Sequence, residues 1–420
     1  MNKLTIAILY CMLILSIQDT YSQQEKEDSW GIHLSGFVKT DIFYDTRQTV
    51  SIREGHFLIL PANESFDREG KDINAKSSFN ILNIQTRFLG SIKGPDVLGA
   101  KTSGLIEAEF FGTSDADLNG LRLRHAFAKL DWANTSLMIG QYWHPMFVTD
   151  CAPHVVSFNT GAPFQPFTRN PQIRLTQKFG KISLALAALS QRDFTNSGPG
   201  KDATNKEIEI YSSIFLRNAI VPDLYLGIRY DIPNFLFGIA GEFKTLMPRT
   251  VTSMNVNTDE TISSYSTMAY TKVIMDEFTI KTELVYGQNL NNMTMLGGYA
   301  VKSRDTSNGN ETYTNMNIIS LWAELSYGKD LEIALFLGYI KNLGFDENII
   351  GPYYARGYNI DFMYRLSPRV QWSNGKLRFS LEGELTSASY GLNNNNDKGK
   401  VINSKIISNF RTLLACYLFF

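Results

Sequence analysis

The sequence predicts an all-β fold, a transmembrane antiparallel β-barrel with sixteen strands, short periplasmic turns and long extracellular loops. Three observations predict it: the C-terminal stretch, the N-terminal stretch, and the rhythm of everything between. The last seventeen residues, SKIISNFRTLLACYLFF at 404–420, alternate in a two-residue repeat. Ile406, Phe410, Leu414, Leu418 and Phe420 fall on one side, Asn409 and Arg411 on the other. Alternation of this kind is a strand with one apolar and one wet face. A terminal aromatic with no polar tail marks Phe420 as an assembly signal of the kind read by outer-membrane insertion machinery. A buried end strand of a soluble sheet is the competing reading, but chain ends are usually frayed and polar.

The opposite end carries an export signal. Lys3 precedes an apolar run over 4–17, and Thr20, Tyr21 and Ser22 follow it, with small residues where a signal peptidase inspects the chain. Cleavage is expected before Gln23, giving a signal peptide at 1–22 and a short periplasmic segment at 23–30. The apolar run is shorter than the roughly 20 residues of a membrane-spanning helix. Tyr10 is too bulky to precede a lipidated Cys11. Composition agrees with a large barrel: 27 Phe and 20 Tyr, and a formal net charge of -1 from 40 Lys and Arg against 41 Asp and Glu. Such balance argues against a nucleic-acid partner, which favours a strongly basic face. Cys151 and Cys416 are placed in a loop and on a lipid-facing strand, too ill-matched for a disulfide.

Between these ends, segments of about ten residues alternate apolar and polar positions and are joined by alternately long and short connections. The first strand spans 32–44, with Leu34, Val38, Ile42 and Tyr44 outward and Lys39, Asp41 and Asp45 inward. A polar connection at 46–77 leads to the second, where Leu82, Ile84 and Phe88 are expected outward and Asn83, Gln85 and Arg87 inward. Strands follow at 102–112, 121–132, 136–143, 172–179 and 181–191. Segment 207–217 also alternates, but parity excludes it: long loops and short turns must alternate if both barrel ends are periplasmic. The strand between Asp193 and Asp231 is therefore 224–231, with Leu224, Leu226, Ile228 and Tyr230 facing lipid. The rest are 235–246, 262–274, 278–288, 317–327, 331–341, 357–372, 376–387 and the C-terminal strand. Pro368 predicts a bulge or strand end.

An even, closed antiparallel set pairs every backbone amide without a free edge. A propeller would show a blade repeat of about forty residues, which is absent. A soluble β-sandwich shares the alternation, and the export signal, terminal Phe and parity together disfavour it.

Four segments carry a family resemblance: LSGFVKTDIFYDTR at 34–47, LRLRHAFAKLDW at 121–132, LMIGQYWHPMF at 137–147 and RNAIVPDLYLGIRY at 217–230. Together with the terminal Phe they resemble the Bacteroidetes-type outer-membrane porins that group with the phosphate-selective O/P porins and the trimeric DcaP-type channels. The resemblance implies a sixteen-stranded homotrimeric porin in the outer membrane of a Gram-negative bacterium, contacting lipid. It also implies a loop folded into the lumen and passive diffusion of small polar or anionic solutes such as phosphate or carboxylates. The N-terminal coiled coil of some DcaP-type members has no counterpart in the short segment before the barrel.

The residues themselves describe the lumen. Arg87, Arg122, Arg124, Arg174 and Lys178 fall on strands two, four and six, with Glu107 and Glu109 on strand three. Each would cost about 2–4 kcal/mol facing hydrocarbon, so they line water. They form either an arginine ladder for anions opposed by carboxylates, or an interior in which Arg122 and Arg124 simply pair with Glu107 and Glu109. The connection 144–170 is the expected constriction loop. Phe147, Phe158, Phe164 and Phe167, with Pro153, Pro163 and Pro166, give it more apolar surface than an exposed loop needs, and Arg169 near its end is a further constriction candidate.

Two smaller signals are weak. Asp115, Asp117 and Asn119 before Gly120 match the opening of a calcium loop, but Ala126 stands where the closing acid belongs, and a plain acidic turn is the expectation. Asp150, Cys151 and His154 fall short of a metal or catalytic set. No cofactor motif is present. A barrel enzyme would need a His beside an acid or nucleophile, whereas His33, His125, His144 and His154 are scattered. A surface adhesin or receptor would favour one dominant outer loop. A passive porin fits best.

Overall fold

The computed structural model describes residues 30–420. The predicted signal peptide and the segment at 23–29 lie outside the described residues. The chain is all-β and closes as a 16-strand antiparallel barrel. Its strands are β1 Gly31–Asp45, β2 Arg87–Lys93, β3 Lys101–Glu109, β4 Arg122–Asp131, β5 Thr135–Trp143, β6 Arg169–Phe179, β7 Ile182–Leu189 and β8 Asp223–Ile232. They continue with β9 Phe235–Leu246, β10 Ile262–Met275, β11 Phe278–Gln288, β12 Glu311–Tyr327, β13 Leu331–Phe345, β14 Ile360–Asn374, β15 Leu377–Asn394 and β16 Lys400–Phe419. Closure is made where β1 pairs with β16, from Phe37 opposite Phe419 to Asp45 opposite Arg411.

The two-residue repeat decides which way each side chain points. On β16, Ile406, Phe410, Leu414 and Leu418 are exposed on the outer surface while Asn409 and Arg411 are buried inside. On β8, Leu224, Leu226 and Ile228 face outward and Asp223 and Tyr225 inward. Such apolar outer rows recur around the wall, as Phe237, Ile239 and Phe243 on β9 and Leu377, Phe379 and Leu381 on β15, which water would not tolerate over a whole closed sheet and a bilayer does. The wall is therefore membrane-spanning, and an even-stranded barrel of this kind is the architecture of the Gram-negative outer membrane.

Two local expectations are corrected. The second strand is broken: Ser78–Leu82 pairs with the outer half of β1, Arg87–Lys93 with its inner half, and the register slips by one residue across 83–86. A one-residue slip exchanges faces, so Leu82 and Ile84 are buried inward while Phe79 and Ile81 are exposed outward. Pro368 neither bulges nor ends its strand. It sits opposite Leu335, and β14 runs on through it; the register shift lies instead between Ile360 and Met363. Its neighbours on β15 keep their register on either side, so only its own missing N–H is lost.

Segment 207–217 is outside the barrel, as parity requires. Glu207–Tyr211 forms an outer hairpin with Ser197–Lys201, followed by the short helix Ile214–Ala219. Two segments turn inward instead. The hairpin Thr49–Ile52 with Phe57–Pro61 inserts Phe57 and Leu58, both fully buried, into the lumen. The connection between β5 and β6 does the same on a larger scale, and the two share one apolar cluster with Phe111, Leu296, Met316 and Phe336.

Candidate functional site: the inward loop and the charged lumen

The loop between β5 and β6 lies inside the barrel because its aromatics find apolar partners there. Phe147 stacks on Trp143 at 4.0 Å and Phe158 on Phe111 at 3.9 Å. Phe167 meets Phe57 at 5.4 Å, and the guanidinium of Arg365 lies 5.2 Å above the ring of Phe164. A loop buried this way still has to satisfy its backbone, and wall side chains from far along the chain do so. Val156 N and Ser157 N donate to the Glu382 carboxylate at 2.7 and 3.1 Å. His154 N donates to Glu324 Oε2 at 2.8 Å. Lys39 Nζ donates to Val156 O at 3.0 Å, Lys281 Nζ to Ala152 O at 3.0 Å and Arg365 Nη1 to Ala162 O at 2.7 Å. The loop thus crosses from β5 to walls on the far side of the lumen.

Five of the seven predicted lumen charges come together on β2, β3 and β4. Glu109 accepts from Arg122 Nη2 and Arg124 Nη1, each at 2.6 Å, and lies 3.2 Å from Arg87 Nη2. Glu107 takes Arg124 Nε at 3.1 Å and Arg87 Nε at 3.3 Å. Arg169, at the end of the inward loop, joins them 3.6 Å from Glu109 and 2.7 Å from Asp193. Asp193, which also holds Arg122 at 3.0 Å, sits in the outer loop after β7. Burial opposes its charge, but the guanidiniums of Arg169 and Arg122 outweigh that and keep its carboxyl below the usual range. Glu109, Arg124 and Arg169 are all essentially buried. At this wall the arginines are tied to carboxylates rather than free to solvent.

Arg174 and Lys178 are not part of this cluster. Both sit on β6 further toward the short-turn end, where Arg174 Nη2 donates to Trp143 O at 2.7 Å and Nε to Gln172 Oε1 at 2.9 Å. The acidic turn is a turn: Asp115–Asp117 is a single 3-10 turn, and Asp115 Oδ1 accepts Glu54 N at 3.0 Å. Asn119 lies just beyond it. Among the described residues no group of three or more His, Cys, Asp or Glu side chains is placed to hold a metal. Asp150, Cys151 and His154 point to different partners. Asp150 pairs with Arg229, and Cys151 Sγ donates to Thr271 O at 3.3 Å, burial pushing the thiol up to about 12. Phe420 closes the seam, donating its N–H to Gly36 O at 3.1 Å.

The residues that hold the loop, Glu324, Glu382 and Arg365 above all, were not singled out by the sequence. Their inward parity on β12, β15 and β14 was readable, but which loop they would meet was not.

No family model matches the chain, and no curated protein matches it in sequence. Solved structures do match in shape. The outer membrane channel DcaP of Acinetobacter baumannii superposes with a TM-score of 0.66 over 95% of this chain and 100% of that one, at 16% identity. OmpT, an outer membrane protein of Vibrio cholerae, gives 0.55 at 9% identity, over 95% and 100%. The anion-selective porin from Comamonas acidovorans gives 0.53 at 10% identity, over 93% and 100%. At such identities the likeness is one of fold.

Proposed function

We propose that this chain is an outer-membrane porin through which small polar solutes diffuse passively. The observation that carries the reading is the inward loop. It is tethered across the lumen by wall carboxylates and cations and so narrows the barrel from within, as a size-limiting diffusion channel requires. The porin fold shared with a channel and an anion-selective porin supports it. Residues 144–170 act as the constriction loop. A preference for anions such as phosphate or carboxylates is drawn from the inward cations of β6, since those of β2 and β4 are paired with Glu107 and Glu109. Export by residues 1–22, insertion guided by Phe420 and assembly as a homotrimer complete the proposal. A trimer form is known for the Vibrio cholerae protein of the same fold.

The test is reconstitution of the folded, purified protein into planar bilayers. Discrete ohmic steps, in multiples of three if the trimer is the unit, are expected. Protein that inserts as a heat-modifiable barrel yet carries no current would overturn the porin reading, and a monomer in native mass spectrometry would remove the trimer.

A further inference from the structure

The lumen's cations are not equivalent. On the β2–β4 wall each guanidinium faces Glu107, Glu109 or Asp193 at ion-pair distance. Elsewhere Lys39 has Asp41 at 2.9 Å, Lys281 has Glu324 at 3.2 Å and Arg411 has Asp45 at 2.7 Å. Among the described residues, Arg174 and Lys178 have no carboxylate within ion-pair distance. Both line one cavity of about 370 Å3 at the short-turn, periplasmic end, between β5–β10 and the first residues of the inward loop.

Sequence explains why space exists there. The inward positions facing it include Ser183, Ala185 and Gly227, whose small side chains leave room that larger residues fill elsewhere on the wall. The other charged groups of the cavity are Arg229, Asp150 and Asp231, and these pair among themselves: Arg229 is bound by both carboxylates. The local sum is three cations against two anions, a net excess of one positive charge, and Arg174 and Lys178 are the two cations without a carboxylate at ion-pair distance. Arg174 is also aimed. Its Nε and Nη2 are occupied by Gln172 and Trp143, which fix the guanidinium plane, and Nη1 is left over.

We propose that this cavity is an anion subsite on the permeation route, that Arg174 and Lys178 set the channel's anion preference, and that the β2–β4 arginine cluster does not. The inference rests on the porin reading above. Its chemical class is a small oxyanion, carboxylate or phosphate, that takes the remaining Nη1 of a fixed guanidinium and a mobile ammonium together. The paired cluster contributes little field because its charges largely cancel at short range, whereas a lone charge in a water-filled passage acts on every passing ion.

Reversal potentials in a tenfold KCl gradient, with inorganic phosphate added as the blocking probe, test it. Removing a unit charge about 7 Å from the ion path in water-like surroundings shifts the anion and cation permeabilities roughly threefold each in opposite senses, so their ratio changes roughly sevenfold. Arg174→Gln with Lys178→Gln should lower the chloride to potassium ratio by at least that factor and abolish phosphate block. Lys178→Glu, at an exposed position, should move the ratio further in the same direction. Arg122→Gln with Arg124→Gln, in whatever fraction still runs as a heat-modifiable barrel, should leave both readouts close to wild type. Unchanged selectivity in both the Arg174/Lys178 and the Lys178→Glu variants, in channels that conduct, overturns the inference and leaves the porin reading standing. Wild-type protein that does not conduct at all removes both.

Discussion

Glu382, on the inner face of β15, accepts the backbone N–H of Val156 at 2.7 Å from a loop 226 positions away in sequence. A wall carboxylate thus holds the middle of a loop that enters from the opposite side of the barrel. The same carboxylate takes Ser157 N, and Glu384 one inward position further takes Asn159 Nδ2 at 2.9 Å.

Glu382→Ala should therefore loosen the loop without opening the barrel. Two buried N–H groups lose their acceptor, each costing about 1–3 kcal/mol, while the hydrogen-bonded wall is untouched. The expected outcome is unchanged heat-modifiability but larger, noisier single-channel currents. Wild-type conductance and noise in the variant would show that the tether does not control the opening.

Glu107→Gln with Glu109→Gln should be primarily a stability change. Arg87, Arg122, Arg124 and Arg169 converge on these two carboxylates. Removing one partner of a buried ion pair typically costs about 3–5 kcal/mol because the remaining charge is stranded. The temperature at which the folded band converts to the unfolded one on a gel should fall clearly. An unaltered conversion temperature would mean that the arginines re-pair or rehydrate freely.

His144, the first residue of the inward loop, should make the fold sensitive to mild acid. It is fully buried, and burial first, then Lys244 and Arg174, holds its pKa well below the ordinary value, although Glu242 lies 3.8 Å away. Its Nδ1 accepts Met146 N at 3.2 Å, a bond that exists only while that nitrogen is unprotonated. The sign follows from linkage: a base whose folded pKa is depressed favours the folded state when neutral. That contribution is full above the unfolded pKa of about 6.5 and is lost progressively as pH falls below it. Conversion temperature should drop between pH 7.5 and 5, and His144→Asn should shrink that drop. An equal drop in the variant would assign the acid sensitivity to other groups.

The closing seam should tolerate little change. A Cβ at Gly36 would come 2.1 Å from Arg87 O and 2.8 Å from the Phe420 ring, with backbone as the nearer obstacle. Gly36→Ala should reduce the assembled barrel recovered from outer membranes, as should deletion of Phe420. In both, the molecules that do insert should conduct normally, since neither residue faces the lumen. Normal recovery after Phe420 deletion would leave the terminal ring only an anchoring role at the interface.

What the sequence determined by itself was the wall. A strand's facing depends on a two-residue repeat within about ten residues, so Leu224, Leu226 and Ile228 or Asn409 and Arg411 could be oriented from local order alone, and parity kept 207–217 out of the barrel wall. The aromatic content of 144–170 pointed to burial for the same local reason. What only the tertiary structure decided was everything set by pairing between distant segments. The slip across 83–86 reversed Leu82 and Ile84 because the register belongs to β1 as much as to the second strand. Arg122 and Arg174 read alike as inward cations, yet one is tied to Glu109 and Asp193 and the other faces an open cavity. Charge type and inward parity are written locally, but whether a charge is cancelled depends on which residue the fold brings within about 4 Å of it, and Coulomb interaction at that range decides between a structural ion pair and a field that a passing solute feels.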